Sequence, residues 1–158
     1  LKEIAARHGV GRIDMVEIIR AGGIPYYKSQ NGLIMMLFMV PSDPNFGGDK
    51  PQIAKGLVDP GERPEDGGIR EAVEELGLIK ENILNSFLGF KREQETKKGL
   101  SKFYVYGMAI KDNQYFTEPH WETKETVWLS EKEISTQLRR DHTIPVYSVI
   151  RTINKRGD

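Results

Sequence analysis

The sequence predicts an α/β domain in which a mixed sheet is covered by helices. Three observations carry that expectation. Apolar runs of strand length are bounded by glycine and proline clusters. One charged segment has helical spacing, with Pro64 suited to its first turn and Gly77 to its C-terminal cap. Strand and helix patterns alternate irregularly along 158 residues, which suits a mixed sheet. A chain of this length is enough for one domain and buries a sizeable core without staples.

The elements follow in order. Residues 1–20 read as a helical extension, because Leu1, Ile4, Ala5 and His8, then Ile13, Val16 and Ile19, recur at helical spacing around a break at Gly9. Residues 21–158 form the main domain. After the Ala21-Gly22-Gly23 punctuation, Ile24–Tyr27 reads as a short strand and 28–32 as a turn. Leu33–Val40 lacks polar alternation, so it reads as a strand buried on both faces. Three prolines and two glycines make 41–51 a loop. Gly56–Pro64 is a second punctuated stretch, and the helix follows over 64–76. Phe87–Arg92 and Phe103–Ile110 read as strands joined by a polar loop over 93–99. Val127–Leu129 is a short strand, and helical character returns over 130–138 and after Pro145.

Composition narrows the function classes. Apolar residues make up 38% and charged residues 29%, as in a soluble globular chain. Twenty-three basic residues balance 23 acidic ones, so there is no global field to gather nucleic acid. The absence of cysteine excludes a disulfide scaffold, a thiolate metal site and a cysteine nucleophile. Leu33–Val40 is too short to span a bilayer, and Leu1–Ala5 does not read as the apolar core of a signal peptide. The default expectation is a cytoplasmic protein without a membrane partner.

The chemistry concentrates in 56–78. On the expected helix, Glu71, Glu74 and Glu75 fall at i, i+3 and i+4 and share one face. Carboxylates so close repel one another unless something compensates. A hard divalent cation does so, taking one or two carboxylates plus substrate phosphates. Arg70, four residues before Glu74, can hold one carboxylate in place. A solvated acidic face would show the same spacing. The lead-in glycines Gly56 and Gly61 let the backbone approach a ligand closely.

The whole pattern resembles the Nudix box at Gly56, Glu62, Arg70, Glu71, Glu74, Glu75, Gly77 and Leu78, with the small Ala72 at an aliphatic position. The resemblance implies a Nudix-type α/β/α sandwich and a hydrolase that uses Mg²⁺ or Mn²⁺ to cleave a nucleoside diphosphate linked to another group. It implies that Glu71, Glu74 and Glu75, with the Gly56 carbonyl, hold metal, and that Arg70 and Glu62 orient them. Metal-assisted attack suits an anhydride, whose own charge repels a nucleophile.

The flanks resemble the diadenosine tetraphosphate hydrolases. Lys55 gives the box a Lys-Gly start, and Gly89-Phe90-Lys91-Arg92-Glu93 follows it. An aromatic strand, Phe103–Tyr106, comes next, then Glu122 before Trp128-Leu129. This likeness implies a dinucleoside polyphosphate such as diadenosine tetraphosphate as the small-molecule substrate. Lys55, Lys91, Arg92, Lys97 and Lys98 are its candidate phosphate contacts. Tyr104 is a candidate for stacking on adenine, and Glu122 for a further metal ligand or base. Charge agrees: 91–102 carries a balance of +3 and 62–75 one of −4. A solvated basic loop and plain core packing of the aromatics are the competing readings. Where those enzymes place an aromatic in the next loop, this sequence has Gln94, Glu95 and Thr96. The alternative substrates are ADP-ribose, a nucleoside triphosphate or an RNA 5′ triphosphate.

Residues 1–20 also fit a helix-turn-helix, with Ala5 between the helices, Gly9 in the turn and Met15 inside. That would offer Gly11, Arg12, Asp14 and Glu17 to a groove, and two of these four are acids that phosphates repel. Nucleic acid is therefore not expected as a partner. A regulator with a Nudix-type ligand domain is the alternative, but such a protein would tolerate loss of box glutamates, and this sequence keeps them all.

Overall fold

The computed structural model describes residues 16–112 and 114–157. A mixed sheet is flanked by helices on both faces. Its strands are β1 (Glu17–Lys28), β2 (Ile34–Pro41), β3 (Ala54–Leu57), β4 (Asn85–Thr96), β5 (Gly99–Ala109) and β6 (Thr123–Ser130). They run in the order β4-β5-β1-β2-β6, with β3 paired to β1. Helix α1 (Pro64–Leu76) covers one face; α2 (Ile134–Gln137) and α3 (Thr143–Arg156) belong to the other. The period-2 alternation of each strand divides the core. Ile24, Met36, Phe38, Phe103 and Val105 pack with Val146, Val149 and Ile153 of α3. Leu37, Met39, Tyr106 and Met108 pack with Ala72 and Leu76 of α1.

Helix α1 occupies the bounds the sequence predicts. Pro64 opens it, Glu65 and Asp66 face the positive end of its dipole, and Gly77 closes it at φ 72°. The Gly77 N–H donates to the Val73 carbonyl at 3.1 Å. A side chain at Gly77 would run into the backbone of Thr117. Gly77→Ala is therefore expected to cost at least about 1–2 kcal/mol, the left-handed backbone penalty alone, read as a lower urea midpoint.

The helix meets β1 through glycine on both sides. A Cβ on Gly68 would lie 2.9 Å from the Gly22 carbonyl oxygen, and one on Gly23 would lie 3.1 Å from the Gly68 carbonyl oxygen. Glycine in a helix interior costs about 1 kcal/mol relative to alanine. Here it lets the helix backbone rest on the strand.

Three expectations need correction. Residues 17–20 are strand, not the end of a helical extension, and β1 runs through position 20. Their register is set by ten parallel pairs with β5, from Glu17↔Leu100 to Tyr26↔Ala109. Residues 1–15, which carry the rest of that extension and of the helix-turn-helix reading, lie outside the described residues. The expected loop over 93–99 is instead a tight hairpin: β4 continues to Thr96, and only Lys97 and Lys98 turn. Strand β3, absent from the sequence reading, crosses the start of the box, pairing Lys55 with Gly22 and Gly56 with Ala21.

Candidate active site

Strand β3 and helix α1 bring the two ends of the box together. Glu71 points from the helix onto the backbone of Gly56, where any side chain would collide with both carboxylate oxygens. Glu75 sits one turn on, and its Oε1 accepts from the Lys55 backbone N–H at 3.2 Å. The loop before β6 holds the end of the helix. Thr123 Oγ1 donates to the Glu75 carbonyl at 2.8 Å, and the His120 N–H donates to the Glu74 carbonyl at 2.8 Å.

Arg70 ties the carboxylates to the preceding loop. Its Nε donates to Glu62 Oε2 at 3.0 Å, its Nη1 to Glu71 Oε2 at 2.8 Å, and its Nη2 to the Leu57 carbonyl at 2.9 Å. Glu74 Oε1 stands 3.6 Å from Nη1. These contacts hold the Glu62 carboxyl below its usual range and raise the guanidinium above its own.

Glu71 and Glu75 behave oppositely to Glu62. Burial, the largest cause in each, pushes both upward, and each also feels a neighbouring carboxylate, Glu74 for Glu71 and Glu71 for Glu75. Glu75 rises to about 8. Two carboxyls whose charged forms burial and a neighbouring carboxylate disfavour fit a hard divalent ion, which would compensate that charge. Among the described residues no group of three or more His, Cys, Asp and Glu side chains forms a ready-made metal cage. The available donors are this pair, the Gly56 backbone beside it and the more exposed Glu74, a set that leaves room for water and substrate oxygens as Mg²⁺ requires.

The Glu75 proton ties metal-free stability to pH. Unfolded glutamate releases it near 4.5, whereas Glu75 keeps it to about 8, so the folded state binds more protons in between. This contribution to stability is complete below about 4.5 and is lost as pH rises through about 8. In chelator, the thermal midpoint of the wild type is expected to fall across that window relative to Glu75→Gln, and Mg²⁺ should restore it most at the alkaline end.

Two cavities meet at Lys55. The first, of about 180 Å³, is lined by Lys55, Glu75 and Glu122, with Gln52, Phe46 and Met39. Glu122 is exposed, and its Oε1 stands 3.3 Å from His120 Nδ1. The second, of about 160 Å³, is lined by Lys55, Arg20, Arg92, Lys102, Arg139 and His142, among others. Among the basic candidates in 91–98, Arg92 lines one of these two cavities, and Lys91, Lys97 and Lys98 line neither. Its guanidinium lies over the rings of Phe90 and Phe103, at 5.8 and 5.7 Å, on the α3 side of the sheet. Lys91 lies on the α1 side, 5.5 Å over the Tyr104 ring. Successive strand residues point to opposite faces, so Lys91 and Arg92 cannot serve one cavity, a separation legible in advance. Lys97 and Lys98 are exposed at the hairpin turn, away from both cavities. The sequence reading missed Arg20, Arg139 and His142; Arg20 lies far along the chain from the short turn that carries the other two.

The NUDIX domain family matches residues 21–151. The chain belongs to that family, and it is an enzyme of the family's pyrophosphohydrolase class. Solved structures share the fold at low identity. An Ap4A hydrolase from C. elegans, solved as a binary complex, is 19% identical with a TM-score of 0.67, covering 87% of this chain and 98% of its own. The Nudix hydrolase RenU from M. smegmatis is 16% identical with a TM-score of 0.69, covering 85% and 86%. The NUDIX domain of Shewanella oneidensis NrtR, complexed with ADP ribose, is 12% identical with a TM-score of 0.69, covering 87% and 89%. No curated protein matches the chain.

Proposed function

We propose that the chain hydrolyses a phosphoanhydride in a dinucleoside polyphosphate such as diadenosine tetraphosphate, with Mg²⁺ or Mn²⁺ as its metal. The observation that carries this reading is the Glu71–Glu75 pair beside a cavity whose other charged walls are Lys55 and Glu122. Glu71, Glu74, Glu75 and the Gly56 carbonyl would hold the metal, with Glu122 a further ligand or the base. When bound, the metal neutralises phosphate charge and lowers the pKa of a coordinated water. Arg70 is the positioning residue, because its contacts fix Glu71 relative to the loop. Lys55 and Arg92 face substrate phosphates. Lys91, Lys97, Lys98 and Tyr104 line neither of the two cavities described at Lys55, so the reading rests its phosphate contacts first on Lys55 and Arg92. Among the described residues no helix is long and apolar enough to cross a membrane, and the reading assumes a cytoplasmic nucleotide pool.

A hydrolysis panel tests it: diadenosine tetraphosphate, ADP-ribose, NADH, nucleoside triphosphates and 5′-triphosphate RNA, each with and without Mg²⁺. Preference for diadenosine tetraphosphate, giving ATP and AMP, is the expected result. Preference for another nucleotide replaces the substrate and keeps the metal chemistry. No turnover of any member overturns the catalytic reading and favours a ligand-binding regulator.

A further inference from the structure

We propose that the second cavity, behind Lys55, is an anion site for a phosphate chain, and that it seats the phosphates of the substrate that extend beyond the bond being cut. The second half of this statement rests on the hydrolase reading above; the anion site itself does not.

Three arginines and two lysines face this space, from β1 (Arg20), β3 (Lys55), β4 (Arg92), β5 (Lys102) and the turn before α3 (Arg139). Two of the five are already partnered. Arg139 forms a forked pair with Asp141 at 2.6 and 2.9 Å and donates to Gln52 at 2.8 Å, while Lys102 pairs with Glu17 at 3.0 Å. These contacts fix their direction. For Arg20 and Arg92 no carboxylate among the described residues lies within ion-pair distance. Asp141 is the only acid in the wall, so the cavity keeps an excess of positive charge.

The same cations surround the buried imidazole of His142. Burial, then Arg139 and Lys55, pushes His142 down to about 3. That imidazole is committed to the fold, since its Nδ1 accepts from the Ile53 N–H at 3.1 Å. A polyanion would relieve this repulsion. Guanidinium groups suit it, because their planar donors meet phosphate oxygens in pairs. A volume of about 160 Å³ corresponds to about five waters at liquid density.

The position gives the site its meaning. Lys55 lines both cavities, and its own backbone N–H holds Glu75. A phosphate chain with one anhydride at the carboxylate pair can run past Lys55 toward Arg20 and Arg92. A substrate whose far side is a neutral sugar would leave those cations without a partner. The cavity thus selects for a phosphate-bearing leaving portion.

Calorimetry on the full chain in chelator tests this, with inorganic tripolyphosphate and orthophosphate as probes. Tripolyphosphate is expected to bind without metal and more tightly than orthophosphate. Arg20→Gln and Arg92→Gln should each weaken it about tenfold, the loss of one charge-assisted contact. Both residues are exposed, and unchanged melting curves exclude misfolding. Glu75→Gln should bind at least as well as the wild type. Binding unchanged in both arginine variants, or lost in Glu75→Gln, overturns the site. If the wild type binds tripolyphosphate through these arginines yet hydrolyses nothing, the hydrolase reading falls and the anion site stands. For the substrate role, Arg20→Gln should raise KM for diadenosine tetraphosphate more than KM for ADP-ribose; equal effects overturn that assignment.

Discussion

Glu75→Gln is expected to lower turnover by about 10²–10⁴-fold, the range for losing a positioned acid, base or charged ligand at a reacting centre. The amide keeps the size of the carboxyl and keeps an oxygen for the Lys55 N–H. It removes the charge that the site can only accommodate with a cation or a proton. Folding should therefore survive, with a metal-free thermal midpoint equal to or above that of the wild type at alkaline pH, where the native glutamate would be forced to ionise beside Glu71. Steady-state kinetics on the substrate that the hydrolysis panel selects, together with a melt in chelator, read both effects. Native turnover in this variant would remove the carboxylate pair from the chemistry.

Arg70→Met should damage stability and activity together. Methionine preserves much of the stem's packing and deletes every donor. The variant leaves the half-buried Glu62 carboxyl, the buried Glu71 carboxyl and the Leu57 carbonyl without their shared partner. Hydrogen bonds to charged groups are worth about 1.5–3 kcal/mol, so a loss of about 2–3 kcal/mol is expected in urea denaturation. Part of that loss should return with Mg²⁺, which would compensate the charge of Glu71. A variant as stable as the wild type in chelator would show that solvent substitutes for the guanidinium.

The box helix was legible because its punctuation is local. Pro64 and Gly77 mark its ends, and Glu71, Glu74 and Glu75 declare their common face by spacing alone. Strand β3 was not legible, since four residues with a glycine carry no periodicity; its pairing with Arg20–Gly23 makes it a strand. The start of β1 misled for a related reason. Ile13, Val16 and Ile19 fit helical spacing, and the competing signal lies in β5, more than eighty residues away in the chain. The carboxylate half of the site is written on one helix. The cationic half is written in single residues on separate strands and one turn, so it exists only once the sheet has formed.

The glycine seam between α1 and β1 has a consequence for motion. Side chains between two elements act as cushions: they change rotamer and let one element slide. Where Gly22 and Gly23 meet Gly68 the helix is seated main chain on main chain, with the side chains of Met108 and Tyr106 packed along the edge of the seam. Displacing it requires breaking the seam outright rather than deforming it. The amides of the glutamate-bearing turn should accordingly exchange with deuterium only through openings close to global unfolding. The loop that carries Glu122 is tied to the same helix through its own main chain, Thr117 to Gly77 and His120 to Glu74. The helix that bears the proposed metal ligands then works as a fixed anvil, and whatever adjustment a substrate demands falls to the side chains around it.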